Sequence, residues 1–207
     1  SAHADRYTQC SGRRSFLQTA KYREMNDLRP KTDGVSRPNP NVYTARADRV
    51  ARSLARKSLD ALLVSDPANV HYLTGFRGED SWLLVTRRKA ILLTDARFET
   101  QLADECPGLE VAIRRPGTGQ TIVSMTADIA KKSGCRSIGL EGRSLPLADA
   151  EGLREAAKSA EWTASSGIVE EFRSIKDRQE IETMRQAVRI AEKSFTILRA
   201  TLRGEQT

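Results

Sequence analysis

Histidine is nearly missing from this sequence. Two occur in 207 residues, His3 and His71, so no HExxH, no Ser/His/Asp order and no histidine-rich metal spacing can be assembled. Cysteine is scarce as well. Cys10, Cys106 and Cys135 form no CxxC pair, which argues against a zinc ribbon or a disulfide framework and fits a reducing compartment. Cys106 and Cys135 read as small filler residues. No run approaches the roughly 18 apolar residues that a membrane-spanning helix needs. The longest blocks, Trp82-Leu83-Leu84-Val85 and Ala90-Ile91-Leu92-Leu93, have the length of strands, and a soluble protein without a membrane partner is expected. Gly75, Gly78, Gly117 and Gly119 fit neither GxGxxG nor GxxxxGK[ST], so a phosphate-cradling loop is absent too.

An excess of charge of one sign is concentrated at one end. The net charge of +7 divides into +4 on residues 1–43 and +3 on residues 44–207, and a surplus that small is ordinary for a folded domain. A nucleic-acid partner is therefore not expected. Residues 11–18 carry Arg13-Arg14-Ser15-Phe16-Leu17, which looks like a twin-arginine export signal. An apolar stretch must follow such a pair, whereas Thr19-Ala20-Lys21-Tyr22-Arg23-Glu24 is charged. A cytoplasmic location is expected.

What is present is alternation. Residues 1–43 lack apolar periodicity and contain Arg29-Pro30 and Arg37-Pro38-Asn39-Pro40, so they read as a basic, disordered tail. From Thr44 to Lys57, Ala47, Val50, Ala51 and Leu54 recur at helical spacing. Strand-length apolar blocks then interleave with helical ones. Strands are expected at 60–65, 81–87, 90–94, 109–114, 137–141 and 161–165, with a hairpin through Arg87-Arg88-Lys89. Helices are expected after Asp66-Pro67 and over 95–105, 118–132 and 146–159. This is an α/β fold, a mixed sheet of five or six strands flanked by helices. Asp177-Arg178-Gln179-Glu180 has capping-box spacing. Ile181, Met184, Val188, Ala191, Phe195 and Leu198 follow at intervals of three and four. That stripe needs a partner. We accordingly expect a domain over 44–172, and a linker with the first helix of a further domain over 173–207.

Chemistry has few places to sit. Asp66, Asp95 and Glu141 stand where strands end, the usual ligand crevice of open α/β sheets. Converging there, they could hold metal ions for phosphodiester cleavage. The alternative is that Asp66 and Asp95 cap the helices that follow, with Glu141 held by Arg143 or solvated. His71, within Val70-His71-Tyr72-Leu73, reads as a surface residue of a short helix. Thr74-Gly75-Phe76-Arg77-Gly78 places an aromatic and an arginine on a glycine-hinged loop. Either these meet a ligand or partner, or Phe76 folds back onto the core.

In order and spacing, several segments are similar to one known family. They are Asp60-Ala61-Leu62-Leu63-Val64, Asn69 with Tyr72-Leu73-Thr74-Gly75-Phe76, Leu92-Leu93-Thr94-Asp95-Ala96-Arg97-Phe98, Ile138-Gly139-Leu140-Glu141, and Arg173-Ser174-Ile175-Lys176-Asp177 with Glu180-Ile181. From about Arg46 onward the chain resembles the creatinase/prolidase N-terminal domain. That domain precedes the pita-bread catalytic domain of Xaa-Pro aminopeptidases, Xaa-Pro dipeptidases and creatinases. The resemblance implies a ribonuclease-H-like fold without ribonuclease chemistry. It makes the helix at Asp177 the opening helix of a catalytic domain lying beyond Thr207. The family's metal ligands (Asp, Asp, His, Glu and Glu) would lie there too. It therefore implies no catalytic or metal residue and no cofactor in this chain, but two divalent ions (Mn, Co or Zn) in the parent enzyme. Homodimers are implied, as are proline-containing peptides as substrates. The loop after Tyr72-Leu73-Thr74-Gly75-Phe76 would reach toward a neighbour's active site. Phe76, Arg77, Asp80 and Trp82 become candidate substrate-side residues.

Three functions compete on this reading. The first is the non-catalytic domain, for dimerisation and substrate access, of a metal-dependent peptidase cutting before proline. The second is a catalytically inactive module of the same fold that binds peptides or histone tails. The third is a nuclease using Asp66, Asp95 and Glu141, which lacks a fourth carboxylate.

Overall fold

The computed structural model describes residues 40–202 apart from 116 and 118; the expected basic tail therefore lies almost wholly outside the described residues. The first helix, α1 (Pro40–Arg56), begins four residues before the expected start. Then come β1 (Ala61–Val64), α2 (Pro67–Thr74), β2 (Trp82–Thr86) and β3 (Ala90–Asp95). A 3-10 turn (Ala96–Phe98) leads into α3 (Glu99–Glu105), followed by β4 (Glu110–Arg114), α4 (Ile122–Lys132), β5 (Ser137–Glu141), α5 (Leu147–Ala156) and β6 (Glu161–Ser165). Two further helices close the series, α6 (Ile168–Ser174) and α7 (Arg178–Thr201).

The six strands form one mixed sheet in the order β4-β3-β2-β1-β5-β6. β2 runs antiparallel to both β1 and β3, whereas β1/β5, β3/β4 and β5/β6 are parallel. All strands but β2 thus end at the same edge of the sheet. Helices cover both faces, which is why β1 and β2 are buried along their whole length and read as continuous apolar runs instead of alternating ones. Successive residues still point to opposite sides. Leu62, Val64, Leu83, Val85 and Leu92 enter a core shared with Val50 and Leu54 of α1, Val70 of α2, Leu102 of α3 and Ile168 of α6. Ala61, Leu63, Leu84 and Leu93 enter the other, with Met125 and Ala130 of α4, Leu153 of α5 and Trp162 of β6.

Local chemistry sets the helix ends. Asp66 caps α2 by accepting from the N–H groups of Ala68 (2.8 Å) and Asn69 (3.1 Å), with Pro67 at the first helical position. Gly75 closes it in the left-handed region, φ 79°. A side chain there would also meet the Tyr43 ring, 2.7 Å from where a Cβ would stand. The helix α6 was not expected from the sequence. Seven residues cannot display a period, yet its Ile168 and Val169 are fully packed in the first core.

The long helix α7 starts with the expected capping box. Asp177 accepts from Glu180 N–H and Glu180 accepts from Asp177 N–H, each at 2.9 Å. None of its residues is buried. Ile181, Met184, Val188, Phe195 and Leu198 lie exposed along one side, and Ile190 and Ile197 along another.

Candidate functional site

The loop joining α2 to β2 carries the residues expected to face substrate, and the structure separates them. Phe76 is 1% exposed and belongs to the first core. Its ring meets Phe98 edge-on, at 5.5 Å and 86°, and Gly78, lacking a side chain, lies directly against it. Of the two alternatives open for Phe76, the structure has the ring folded back onto the core, so its candidacy as a substrate-side residue is corrected. Trp82, 8% exposed, is the first residue of β2 and faces the second core. Arg77 and Asp80 are exposed. The backbone N–H of Arg77 donates to Glu105 (3.3 Å), and Asp80 stands 3.4 Å from Arg97 with φ 56°. Of the four, Arg77 and Asp80 present their charge to solvent, and Phe76 and Trp82 anchor the loop from beneath.

The three strand-end carboxylates do not converge. Asp66 is the α2 cap. Asp95 is gripped by Arg97, whose N–H, Nε and Nη2 all donate to it at 2.7–3.0 Å, with Arg114 at 3.5 Å. These hydrogen bonds, from Arg97 foremost, hold its carboxyl below the usual carboxylate range despite its desolvation. Glu141 lies across two strands from Asp95. It is neither held by Arg143 nor solvated, which corrects the expectation for this residue. It is 7% exposed, and its Oε2 accepts from Ser65 and Asp66 N–H, both at 2.7 Å. Burial pushes the Glu141 carboxyl up, with these donors opposing.

Asn69 completes a network that sequence reasoning missed. Fully buried, it donates from Nδ2 to Glu141 (2.6 Å) and Glu170 (2.9 Å), and its Oδ1 accepts from Arg173 (2.7 Å). Helices α2 and α6 and strand β5 are thereby joined through one amide, whose donors and acceptor are all engaged. A cleft of about 140 Å³ opens beside Glu141, lined by Asp66, Arg143, Ser144, Ser165 and Glu170. Drug-sized ligands take roughly 300–1,000 Å³, so the cleft is too small to enclose one. Among the described residues no group of three or more His, Cys, Asp or Glu could hold a metal ion. The thiol of Cys106 is buried and pushed up to about 11 by desolvation, far from a nucleophile's range.

A mixed sheet with one reversed strand, two packed cores and a helix leaving from α6 is an arrangement that comparison with known proteins places in one family. The model of the creatinase/prolidase N-terminal domain matches residues 46–175, more than half of the chain. The chain belongs to this family. The uncharacterized peptidase YqhT of Bacillus subtilis (strain 168) is 25% identical over 150 residues, which are 72% of this chain and 41% of that protein. The N-terminal domain of the cytoplasmic peptidase PepQ from Mycobacterium tuberculosis H37Rv is 36% identical, with a TM-score of 0.56 over 61% of this chain and 97% of that one. The Xaa-Pro dipeptidase from Bacillus anthracis superposes with a TM-score of 0.70 at 24% identity, over 78% of this chain and 44% of that one; at that identity the likeness concerns the fold. The chain spans about two fifths of the curated relatives it matches. No helix among the described residues is long and apolar enough to cross a membrane.

Proposed function

We propose that this chain is the N-terminal, non-catalytic domain of a cytoplasmic Xaa-Pro peptidase, a dipeptidase or aminopeptidase that cleaves the bond before proline. On this reading the divalent ions of such an enzyme are held by a following catalytic domain. The observation that carries the reading is α7, 24 residues long and without a buried side chain. An apolar stripe of that length left in water costs free energy that only a packed partner removes. YqhT and the Bacillus anthracis dipeptidase, each matched over less than half of its length, support a following catalytic domain as that partner.

On this reading the domain contributes to a homodimer and to substrate access, and domain boundaries near 44, 172 and 173 describe its extent. Arg77 and Asp80 are the substrate-side residues. Both are charged and exposed, on a loop whose backbone is pinned by buried Phe76 and Trp82, so they are presented rigidly. The exposed guanidinium of Arg77 suits a peptide carboxylate.

The test is hydrolysis of Xaa-Pro peptides with added Mn²⁺, by this chain alone and by a protein continuing beyond Thr207. Turnover by the longer protein only is the expected result. EDTA-sensitive turnover by the chain alone contradicts the proposal, and silence from both favours a catalytically inactive peptide-binding module. In an active longer protein, Arg77→Ala should raise KM or lower kcat with the melting temperature unchanged. A large drop in melting temperature would make the loop structural.

A further inference from the structure

We infer that Arg46 is a positioning residue that fixes the direction in which α7 leaves the α/β domain. It is a buried arginine of α1, lying over the Tyr72 ring at 4.3 Å and near the Tyr43 ring at 5.7 Å. Its two terminal nitrogens point to two different helices. Nη1 donates to the Tyr72 carbonyl (3.2 Å), in the last turn of α2, where helix carbonyls lack a partner within the helix. Nη2 donates to Asp177 Oδ2 (2.7 Å) and lies 3.3 Å from Glu180 Oε1. One planar cation thus joins the negative end of α2 to both members of the α7 capping box.

The rest of α7 gives that joint its importance. From Ile181 to Thr201 every residue except Gln186 is exposed, so packing farther along the helix does not define its angle. At its start, by contrast, the carboxylate that caps the helix is the one that Arg46 holds. Asp177 Oδ1 serves the Glu180 N–H while Oδ2 faces Arg46. The first turn is therefore tied in position and in orientation together. Upstream, α6 is fastened by Asn69–Arg173 and by Arg49 over the Phe172 ring (5.1 Å). The chain has three residues, Ile175 to Asp177, in which to change course. A rigid ring-stacked guanidinium with two fixed acceptors sets an angle better than a flexible ammonium, which is why arginine suits this place. If α7 opens a catalytic domain, Arg46 also sets how that domain faces the Arg77 loop. That consequence rests on the reading above; the orientation of α7 does not.

The experiment measures α7 in this chain. Spin labels go on α5 and α7 through Glu151→Cys and Lys193→Cys, with Cys10→Ser removing the competing thiol and buried Cys106 and Cys135 kept. The parent is expected to give a single narrow distance distribution, and Arg46→Ala to lose it. Because Arg46→Ala also strips α1 of a buried contact, Asp177→Asn serves as the second variant. Asparagine caps a helix nearly as well as aspartate but forfeits the charge that Arg46 holds. Broadening in both variants, with Arg46→Lys falling between parent and alanine and the melting of the sheet unchanged in Asp177→Asn, supports the inference. Unchanged distances in both variants overturn it, as does broadening that appears only alongside a lowered melting temperature in both.

Discussion

Leu63 and Phe195 are both large and apolar, yet one is 0% exposed and the other 60%. The first sits in a central strand of a sheet covered on both sides, and the second is three quarters of the way along α7. The contrast extends to polar groups. Around the sheet, Glu141 and Asn69 are saturated by partners from distant parts of the chain, and Asp95 by Arg97 two residues on. On α7, Glu182 meets Arg189 within its own helix. One region has settled its hydrophobic and hydrogen-bonding needs internally. The other has settled only its first turn. Packing, not helix propensity, supplies most helical stability in proteins, so the second region is built for contact with something else.

Several substitutions would break or sharpen this contrast. The largest effect should come from Leu63→Ala, which removes a fully buried side chain between β5 and the α4–α5 layer. A loss of about 2–5 kcal/mol is expected in urea denaturation, while Phe195→Ala should leave the same transition within ~0.5 kcal/mol. Equal losses would mean that α7 is already packed. Asn69→Ala comes next. It strands Arg173 and deprives Glu141 of a donor, and about 1–3 kcal/mol is expected, read from the same denaturation midpoint. A neutral result would show that water replaces the amide through the neighbouring cleft.

The smallest expected effect is electrostatic. Asp95 is held below its ordinary carboxylate range by Arg97. A lowered folded-state value means the unfolded chain binds the proton more readily, so this group's stabilisation is complete above the ordinary range. It disappears as the pH falls through the lowered value. Asp95→Asn should therefore flatten the acid limb of a melting-temperature profile and reduce stability at neutral pH. Glu141 has the opposite sign, being raised chiefly by burial. Its contribution is greatest below the ordinary value and declines as pH rises through the folded one, so Glu141→Gln should leave the acid limb of Asp95 in place.

How much of this was legible in the sequence depends on the distance over which each feature is decided. The strands could be read because Leu62-Leu63-Val64 or Ile91-Leu92-Leu93 announces burial by itself, and the hairpin because Arg87-Arg88-Lys89 interrupts two apolar blocks. The caps of α2 and α7 were legible because Asp66-Pro67 and Asp177 with Glu180 act within four residues. Glu141 was misjudged because its partners stand 72 to 76 residues away, and local sequence offers only Arg143. Phe76 was left open between core and surface, and its T-shaped contact with Phe98 decided it. Arg46 looked like one arginine of many on α1. Its partners, Asp177 and Glu180, are more than 130 residues further on.

Amide hydrogen exchange along the chain tests the account most directly. The α/β domain is complete in itself, and α7 waits for a partner. Amides of β1, β2 and β5 should then exchange only through global unfolding, while those of α7 beyond Gln186 exchange orders of magnitude faster through local fraying. Protection of α7 equal to that of β1, in dilute monomeric protein, would contradict the account, because the face of Val188, Phe195 and Leu198 would already be covered.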